Sequence, residues 1–316
     1  MRTIILLCLS AMLILPAAAL AETAAPEASL APAQPPAADP FQDMAGELAA
    51  RPLPIDRSPG APPIRDNFTG EWEYRDSSIH VKIEKVIAYE STCFIARIRI
   101  GHPSQLRTET AAQSWDLRRE ADGERVAQRV NAVIAVNGDY YSYISNGYMI
   151  RRGELYRDRP DPNRDVLLID DQGDFHIVPY STRENLAPYR DMNIVDSFNF
   201  GPGLVINGVQ GENLRNYHNG ARENRQRVAI AQAGPLTYYL FVTEARSDGS
   251  RGMTLREFAD FVYSYNVDNA YNLDGGNSAH LIFGGVRLNA PGFRDVRDIN
   301  DIVYFASTEG LPDAAK

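Results

Sequence analysis

Two polar segments of the chain each follow a short apolar run and each carry a carboxylate beside glycine. Residues 132–136 lead into an Asn-Gly-Asp turn at 137–139, and residues 270–273 lead into an Asp-Gly-Gly turn at 274–276. Rigid strands that end in such turns deliver carboxylates and amides to a cleft, and glycine lets backbone N–H groups face an anion. An ordinary hairpin turn explains either segment taken alone. Because both segments occur in one chain, a functional site and a pair of ordinary turns are explanations of equal weight.

The elements that must position these turns are mostly strands. Alternating or continuous apolar runs predict them, as is typical of half-buried and central strands. Two pairs of runs separated by short turns, 166–169 with 175–178 and 280–283 with 286–288, predict hairpins. The other strands are expected at residues 81–83, 94–100, 133–136, 228–231, 236–243, 270–273 and 302–306.

One helix is clearly indicated. Thr254 and Glu257 form a capping box, in which each side chain satisfies backbone amides of the first turn, and apolar residues follow on one face until Asn266. Many strands and few helices in mixed order predict an α+β fold: a single domain with a mixed, largely antiparallel sheet and a few packed helices.

The N-terminus has the pattern of a secretory signal peptide over residues 1–21. Arg2 precedes an apolar run, and Ala19-Leu20-Ala21 fits the small-residue cleavage site. A membrane anchor is the alternative, but the run is shorter than the roughly 20 apolar residues that span a bilayer. Residues 22–65 are rich in Ala and Pro and predict a largely disordered tether, with a short helix near residues 41–50. The domain is then expected at 66–316.

Composition excludes several classes of partner. A formal net charge of −9 disfavours nucleic acid or anionic lipid as the main partner. Apart from Cys8 in the signal peptide, Cys93 is the chain's single cysteine, and its apolar surroundings predict a buried structural thiol. The five histidines show no metal-binding spacing.

The second turn belongs to a longer motif. Residues 272–278, Asn-Leu-Asp-Gly-Gly-Asn-Ser, resemble the Asn-Leu-Asp-Gly-Gly-x-Ser signature of the phosphodiester glycosidase family. The resemblance extends over about residues 81–305, although Val228 and Ala245 replace the usual Thr and Gly. The agreeing segments keep the family's order: 137–141 (Asn-Gly-Asp-Tyr-Tyr), 226–230 (Gln-Arg-Val-Ala-Ile), 244–246 (Glu-Ala-Arg) and 250–255 (Ser-Arg-Gly-Met-Thr-Leu).

The resemblance implies cleavage of the bond between a sugar's anomeric carbon and a phosphodiester. Positive charge develops on the sugar and a phosphomonoester departs, so the site needs a carboxylate at C1 together with cations and N–H donors on the phosphate. Asp274 is the expected first carboxylate and Asp139 the candidate second. Arg227 and Arg246 are candidate phosphate ligands. The remaining candidates for substrate or phosphate binding are Asn137, Gly138, Asn272, Gly275, Gly276, Asn277 and Ser278, with the two consecutive glycine amides as an anion nest and the asparagines on sugar hydroxyls.

Each assignment has a structural alternative. Asp274 could simply cap its turn, Arg227 could pair with an acid, and Arg246 could be solvated. His280 is expected to be a core or surface histidine, and His218 is a loop residue that could reach the substrate. Other side chains with two readings are Tyr140 and Tyr141, as sugar platform or core, and Arg151, Arg152, Arg157 and Arg159, as a solvated loop rather than cleft lining.

The sequence therefore predicts an extracytoplasmic glycosidase, secreted, periplasmic or at the cell surface, that acts on a carbohydrate phosphodiester without a required cofactor. No nucleic acid partner and no membrane insertion after signal removal are expected. A glycan- or wall-polymer-binding module without turnover is one alternative. A phosphodiesterase that holds Mg²⁺ or Ca²⁺ on Asp139 and Asp274 is another, because these cations prefer oxygen ligands.

Overall fold

A computed structural model describes residues 39–212, 214, 217, 220–246, 249–292 and 295–311. The predicted signal peptide, residues 22–38 of the predicted tether, and His218 lie outside the described residues. In chain order the strands are β1 (Phe68–Thr69), β2 (Glu73–Arg75), β3 (Ile79–Ala88), β4 (Ser91–Ile100), β5 (Leu106–Thr110), β6 (Ala132–Asn137), β7 (Gly147–Arg151), β8 (Glu154–Arg159), β9 (Val166–Asp170), β10 (Phe175–Val178), β11 (Ile194–Phe198), β12 (Gly203–Ile206), β13 (Val209–Gln210), β14 (Val228–Gly234), β15 (Thr237–Thr243), β16 (Asn269–Leu273), β17 (Leu281–Phe283), β18 (Val286–Arg287) and β19 (Asp301–Ala306).

The helices are short. The α-helices are α1 (Gly123–Arg129), α2 (Arg183–Leu186) and α3 (Leu255–Tyr263). In the part of the chain that the structure describes, none of the helices has the length and apolar character of a membrane span. The 3₁₀ turns are Gln42–Met44, Arg65–Asn67, Pro103–Gln105, Tyr141–Tyr143, Ala187–Tyr189 and Gly276–Ser278.

Two antiparallel sheets pack face to face and form the main core. The larger sheet has the strand order β1-β2-β3-β4-β15-β14-β16-β12-β13, and the smaller one has β18-β17-β6-β19-β5. Side chains from the inner faces of both, such as Val228 and Leu240 from one and Val136 and Phe305 from the other, share a single buried cluster. Successive residues of a strand point to opposite faces of its sheet, so every second side chain of these strands points into the shared cluster.

Helices cover the outer faces. Helix α3 packs on the larger sheet, with Phe258 and Val262 buried against Phe241 and Ala229, and its predicted Thr254 capping box is present. Helix α1 packs on the smaller sheet, and its Val126 lies in the buried cluster between the helix and that sheet. The sheet-rich α+β domain is thus confirmed, as are both predicted hairpins.

The strand pairing differs from the prediction in one respect. Every pair between the described strands is antiparallel, so the expected mixture of parallel and antiparallel pairs is not found among them. The pairs β3–β4, β9–β10, β14–β15 and β17–β18 are consecutive strands joined by short turns, and only an antiparallel pair can be closed in that way. Cys93 is buried and free, as expected.

Several residues before the predicted boundary at residue 66 pack against the domain. Phe41 and Met44 are buried beneath the larger sheet, Leu53 lies in the cluster under α1, and Ala61 pairs with Ser307. The expected short helix is a single 3₁₀ turn over Gln42–Met44. A few apolar side chains spaced among Ala and Pro are enough to hold an extended segment on the domain surface. The overall Ala and Pro content of residues 22–65, on which the tether was predicted, does not reveal these few side chains.

Candidate active site

The two turns predicted from sequence lie side by side. Asn137, at the end of β6, donates from Nδ2 to the carbonyl of Asp274 at 2.7 Å, and its Oδ1 accepts from the His280 N–H at 3.0 Å. The N–H of Asp274 donates to the carbonyl of Gly138 at 3.2 Å. Strands β6 and β16 belong to different sheets, so these bonds join the two sheets where both strands end. Asn137 is therefore a buried connector whose amide is already engaged.

A cleft of about 650 Å³ opens beside this junction. Its wall combines carboxylates, arginines and aromatic rings. The residues that line it are Glu120, Asn137, Gly138, Tyr140, Tyr143, Phe200, Gly220, Arg225, Arg227, Leu273, Asp274, Gly275, Gly276, Ser278, Arg297, Asp298, Ile299, Asn300 and Asp301.

Asp274 is one of the carboxylates that line the cleft. The residue is half-buried, and its Oδ1 accepts from the Gly275 N–H at 2.8 Å. Burial raises the pKa of its carboxyl group to about 6, against the opposing hydrogen bond from Ser278. A carboxylate with such a pKa is ionised at neutral pH yet basic enough to take part in proton transfer.

Asp139 lies behind the cleft wall rather than in it. Its Oδ1 pairs with Arg151 Nη2 at 3.0 Å and its Oδ2 accepts from the Asn199 N–H at 2.7 Å, with the side chain almost fully buried. The same Nη2 atom of Arg151 lies 3.4 Å from Asp301 Oδ2. Burial, and then the neighbouring charge of Asp139, raise the pKa of the Asp301 carboxyl group to about 7. Asp301 is as buried as Asp139, but it is among the residues that line the cleft and Asp139 is not.

The consecutive glycines after Asp274 are needed for packing. The N–H of Gly275 donates to Asp274 itself and that of Gly276 donates to the Gln226 carbonyl. A Cβ on Gly275 would lie 2.5 Å from that carbonyl oxygen, so only glycine allows the turn to approach strand β14 so closely. Both amides, which the sequence suggested as an anion nest, are hydrogen-bonded inside the protein.

Positive charge in the cleft comes from arginine side chains. Arg227 is buried, and its guanidinium donates to the backbone carbonyls of Met253, Gly220 and Glu223 at 2.8 to 3.0 Å. Burial and the nearby charge of Arg225 lower its pKa to about 10, so it stays a cation at neutral pH. Arg225 and Arg297 are exposed at the same wall.

The other predicted arginine lies elsewhere. Arg246 is exposed, in a left-handed turn, and is not among the residues that line the cleft. Arg151, expected in a solvated loop, is instead fully buried.

One wall of the cleft is aromatic. Tyr140 packs against Phe200 with ring centroids 5.4 Å apart and lies 6.4 Å from Tyr143. Tyr140 has a φ of 45°, a left-handed conformation that is costly for a tyrosine and is common at functional sites. Tyr141 has the core position: its hydroxyl hydrogen-bonds Thr110 and the Leu117 carbonyl.

The remaining predicted binders divide between cleft and core. Ser278 lines the cleft and bonds the Asp274 carboxylate. Asn272 is buried and donates from Nδ2 to the Gly201 carbonyl, away from the cleft lining. Asn277 is half-buried and lies near Gln226 and Gly292, also outside the lining set. His280 is a core histidine whose Nδ1 contacts the Ser278 carbonyl.

Comparison with known proteins fits this geometry. Residues 130–306, more than half of the chain, match the family model of the phosphodiester glycosidases. The chain belongs to the phosphodiester glycosidase family. No curated protein sequence matches it significantly.

Solved structures show the same fold at low sequence identity. The catalytic domain of zebrafish N-acetylglucosamine-1-phosphodiester α-N-acetylglucosaminidase, auto-inhibited by its pro-peptide, superposes with a TM-score of 0.59 at 18% identity, covering 72% of this chain and 83% of that one. A hypothetical protein from Synechocystis superposes with a TM-score of 0.52 at 15% identity, covering 72% of this chain and 62% of that one.

The residues do not favour a cation on the two predicted aspartates. Both carboxylate oxygens of Asp139 are engaged, by Arg151 and by a backbone N–H. Within residues 39–311, leaving out the undescribed positions, no group of three or more His, Cys, Asp or Glu side chains is arranged to hold a metal ion. Asp139 is therefore better described as part of a buried ion pair.

Sequence reasoning missed several residues of the cleft. Asp301 comes into place because β19 pairs with β6, with Ile302 opposite Asn137, a contact between residues more than 160 positions apart. For Arg225 the sequence did offer a signal, because it lies two residues before Arg227, the predicted phosphate ligand. Arg297, Tyr143 and Phe200 lie in irregular segments where no periodicity marks them.

Proposed function

We propose that this phosphodiester glycosidase hydrolyses the C1–O bond of a sugar-1-phosphodiester, releasing the sugar and a phosphomonoester. The observation that carries the proposal is the composition of one cleft, which a half-buried carboxylate, Asp274, lines together with arginine side chains and aromatic rings. A sugar phosphodiester has matching parts: an apolar ring face, an anomeric carbon that becomes positive, and an anionic leaving group.

Asp274 acts on the anomeric carbon in this proposal, either as nucleophile or as the base that activates water. Both roles need the ionised form, and a pKa of about 6 leaves most of the group ionised at pH 7. Its negative charge also stabilises the positive charge that develops on the sugar in the transition state. Protonation of the leaving group contributes little, because the departing phosphomonoester is already a good leaving group.

Arg227, Arg225 and Arg297 hold the phosphate. Three backbone carbonyls accept from Nε and Nη2 of Arg227 and fix its orientation before substrate arrives. Arg227 therefore donates to a phosphate oxygen from Nη1, while the exposed Arg225 and Arg297 supply further guanidinium donors. The described residues give Arg227 no carboxylate partner within ion-pair distance. A buried cation of this kind gains most when an anion enters, because the cleft excludes part of the water that screens it.

Tyr140, Tyr143 and Phe200 contact the sugar. Aromatic rings present broad apolar faces, and Tyr140 lies beside both Phe200 and Tyr143 in the lining of the cleft. The family relationship suggests N-acetylglucosamine as the first sugar to test, since the zebrafish relative is an N-acetylglucosamine-1-phosphodiester α-N-acetylglucosaminidase. The signal-peptide pattern of residues 1–21 supports action outside the cytoplasm, on a glycan or exported polymer.

The test uses N-acetylglucosamine-1-phosphoryl-alkyl diesters in ¹⁸O-water, with and without a chelator. The proposal expects ¹⁸O in the released sugar and turnover that a chelator does not change. Label in the phosphate would instead show P–O cleavage, and loss of turnover with chelator would show metal dependence. Binding of diesters without turnover, across sugars and aglycones, would overturn the proposal in favour of a binding module.

Asp274→Asn tests the assigned carboxylate. The amide keeps the size of the side chain but cannot ionise, so kcat should fall by about 10³-fold or more while the diester still binds. Asp298→Asn is a matched control, because Asp298 lies exposed at the edge of the same cleft and should retain most activity.

A further inference from the structure

Arg151 is the most deeply buried cation among the described residues. Its side chain is fully buried and joins Asp139 at 3.0 Å with Asp301 at 3.4 Å. Its guanidinium also lies 4.6 Å from the ring centre of Phe198 and 5.1 Å from that of Trp115. Such contacts favour the planar guanidinium over a primary ammonium group. The mechanism proposed above leaves all three charged groups unused, although burial of charge is costly unless it is compensated.

A direct structural connection runs from this cluster to Asp274 through Gly138. The Gly138 N–H donates to the Asp301 carbonyl at 2.9 Å, and the Gly138 carbonyl accepts from the Asp274 N–H at 3.2 Å. The carboxylate of Asp301 packs directly on Gly138: a Cβ there would lie 2.2 Å from its Oδ2. Any shift of Asp301 therefore moves the backbone that holds Asp274.

An electrostatic connection runs in parallel. The negative charge of Asp139 acts on both Asp274 and Asp301 and raises the pKa of each. The other charged groups around the cluster are Arg157, which faces Asp139, and Asp196, which faces Arg151. Arg297, which also lines the cleft, acts on Asp274 and lowers its pKa.

We propose that Arg151 is a positioning residue for the reaction: by gripping Asp139 and Asp301 together, it fixes the Gly138 turn against Asp274 and keeps the charge of Asp139 close to the cleft. The inference rests on the proposed role of Asp274. Neither Arg151 nor Asp139 touches substrate. Together they set where the reacting carboxylate lies and how readily it takes up a proton.

The deciding experiment measures the titration of Asp274 directly, by ¹³C NMR of aspartate carboxyl groups, in wild type, Asp139→Asn and Asp43→Asn proteins. Asp274→Asn assigns the signal. Asp43 is the matched control because it also pairs with a buried arginine, Arg97, at 2.7 Å, but lines a different part of the surface. The midpoint should move to lower pH in Asp139→Asn, because a neighbouring negative charge is removed, and stay unchanged in Asp43→Asn.

Kinetics on the diester then separate positioning from simple stability. Arg151→Lys keeps the charge but loses the Nη1 hydrogen bonds to the Ile150 and Ser197 carbonyls and the guanidinium contacts with the aromatic rings, which hold Nη2 between the two carboxylates. We expect kcat to fall by about tenfold with KM nearly unchanged, at temperatures well below the Tm of the variant. A kcat equal to that of wild type would overturn the proposal, as would an unshifted Asp274 midpoint in Asp139→Asn.

The two proposals fail in different ways. If wild-type protein turns over no diester, the proposed function fails, while the Asp274 midpoint still reports whether Asp139 acts on it. If wild type turns over diester but the midpoint and kcat ignore Asp139→Asn and Arg151→Lys, only the positioning role fails. Where Asp139→Asn does not fold, the NMR titration is made on Arg151→Lys, and a midpoint identical to wild type then counts against the proposal.

Discussion

The backbone N–H of Asp274 donates a hydrogen bond to the carbonyl oxygen of Gly138, 3.2 Å away, across the boundary between the two sheets. Each residue begins the turn that ends a buried strand, β6 for one and β16 for the other. Because both strands are fixed in sheets, the bond holds Asp274 in one position relative to the cleft. The site is thus built on rigid elements, as accurate placement of a reacting group requires.

Gly138→Ala should damage this junction. The added Cβ would lie 2.2 Å from Asp301 Oδ2 and 2.5 Å from its Cγ, so the carboxylate must move. Overpacking of a closed site costs about 1–3 kcal/mol, and we expect a matching drop in the free energy of unfolding measured in urea, with kcat reduced more than KM. Gly153→Asn is the control, since nothing lies within 4 Å of that position and asparagine tolerates its left-handed backbone. Equal stability of both variants would contradict the prediction.

The pH dependence of kcat/KM should report Asp274. Its pKa is raised from 3.8 to about 6, and the reaction needs the ionised form, so activity should rise with pH through a midpoint near 6. A midpoint near 4 would show that the reacting carboxylate is not a buried group of this kind.

The same shift has an opposite effect on stability. A carboxyl group whose pKa is higher in the folded state binds protons more tightly when folded. The contribution of Asp274 to the free energy of unfolding should therefore increase as pH falls from about 6 towards 4. Comparing urea denaturation of wild type and Asp274→Asn across this range isolates the contribution, and parallel curves for the two proteins would exclude it.

Arg227→Gln should weaken transition-state binding strongly. Loss of one well-oriented cation or donor at a developing anion costs about 10²–10³-fold in rate, and we expect kcat/KM to fall by that order. Arg246→Gln is the matched control: Arg246 is exposed and lies outside the cleft lining, so its loss should change kcat/KM by less than about threefold. Similar losses in both variants would show that the phosphate lies elsewhere.

The sequence predicted most strands and the helix α3, because alternation and capping are local properties of the chain. From the shared design of the two turns that contain Asn137 and Asp274, it also predicted that both turns contribute to one site. It did not predict that Asp301 lines the cleft and Asp139 does not. That difference depends on the pairing of β19 with β6. Arg151 was predicted in a solvated loop because its neighbours in sequence are charged. Its neighbours in space are instead the rings of Phe198 and Trp115.

Tyr140 should contribute to the affinity for sugar. Tyr140→Ala removes the ring that packs on Phe200, and we expect KM for the diester to rise by about tenfold, because a stacked aromatic contact contributes about 1 kcal/mol or more. Tyr140→Phe keeps the ring and should bind nearly as well as wild type. The exposed Tyr263 on α3 lies outside the cleft, so Tyr263→Ala serves as the control. Equal KM values for the alanine and phenylalanine variants at position 140 would refute stacking.

The segment before residue 66 should be required for stability. Phe41, Met44 and Leu53 are each more than nine-tenths buried, and full burial of such side chains contributes about 1.5–3 kcal/mol each. Arg107 fastens the same segment through hydrogen bonds to the carbonyls of Pro54, Asp56 and Ser58. A chain that starts at residue 66 should therefore lose several kcal/mol of unfolding free energy relative to one that starts at residue 39. Equal urea midpoints for the two chains would mean that the segment rests on the domain without stabilising it.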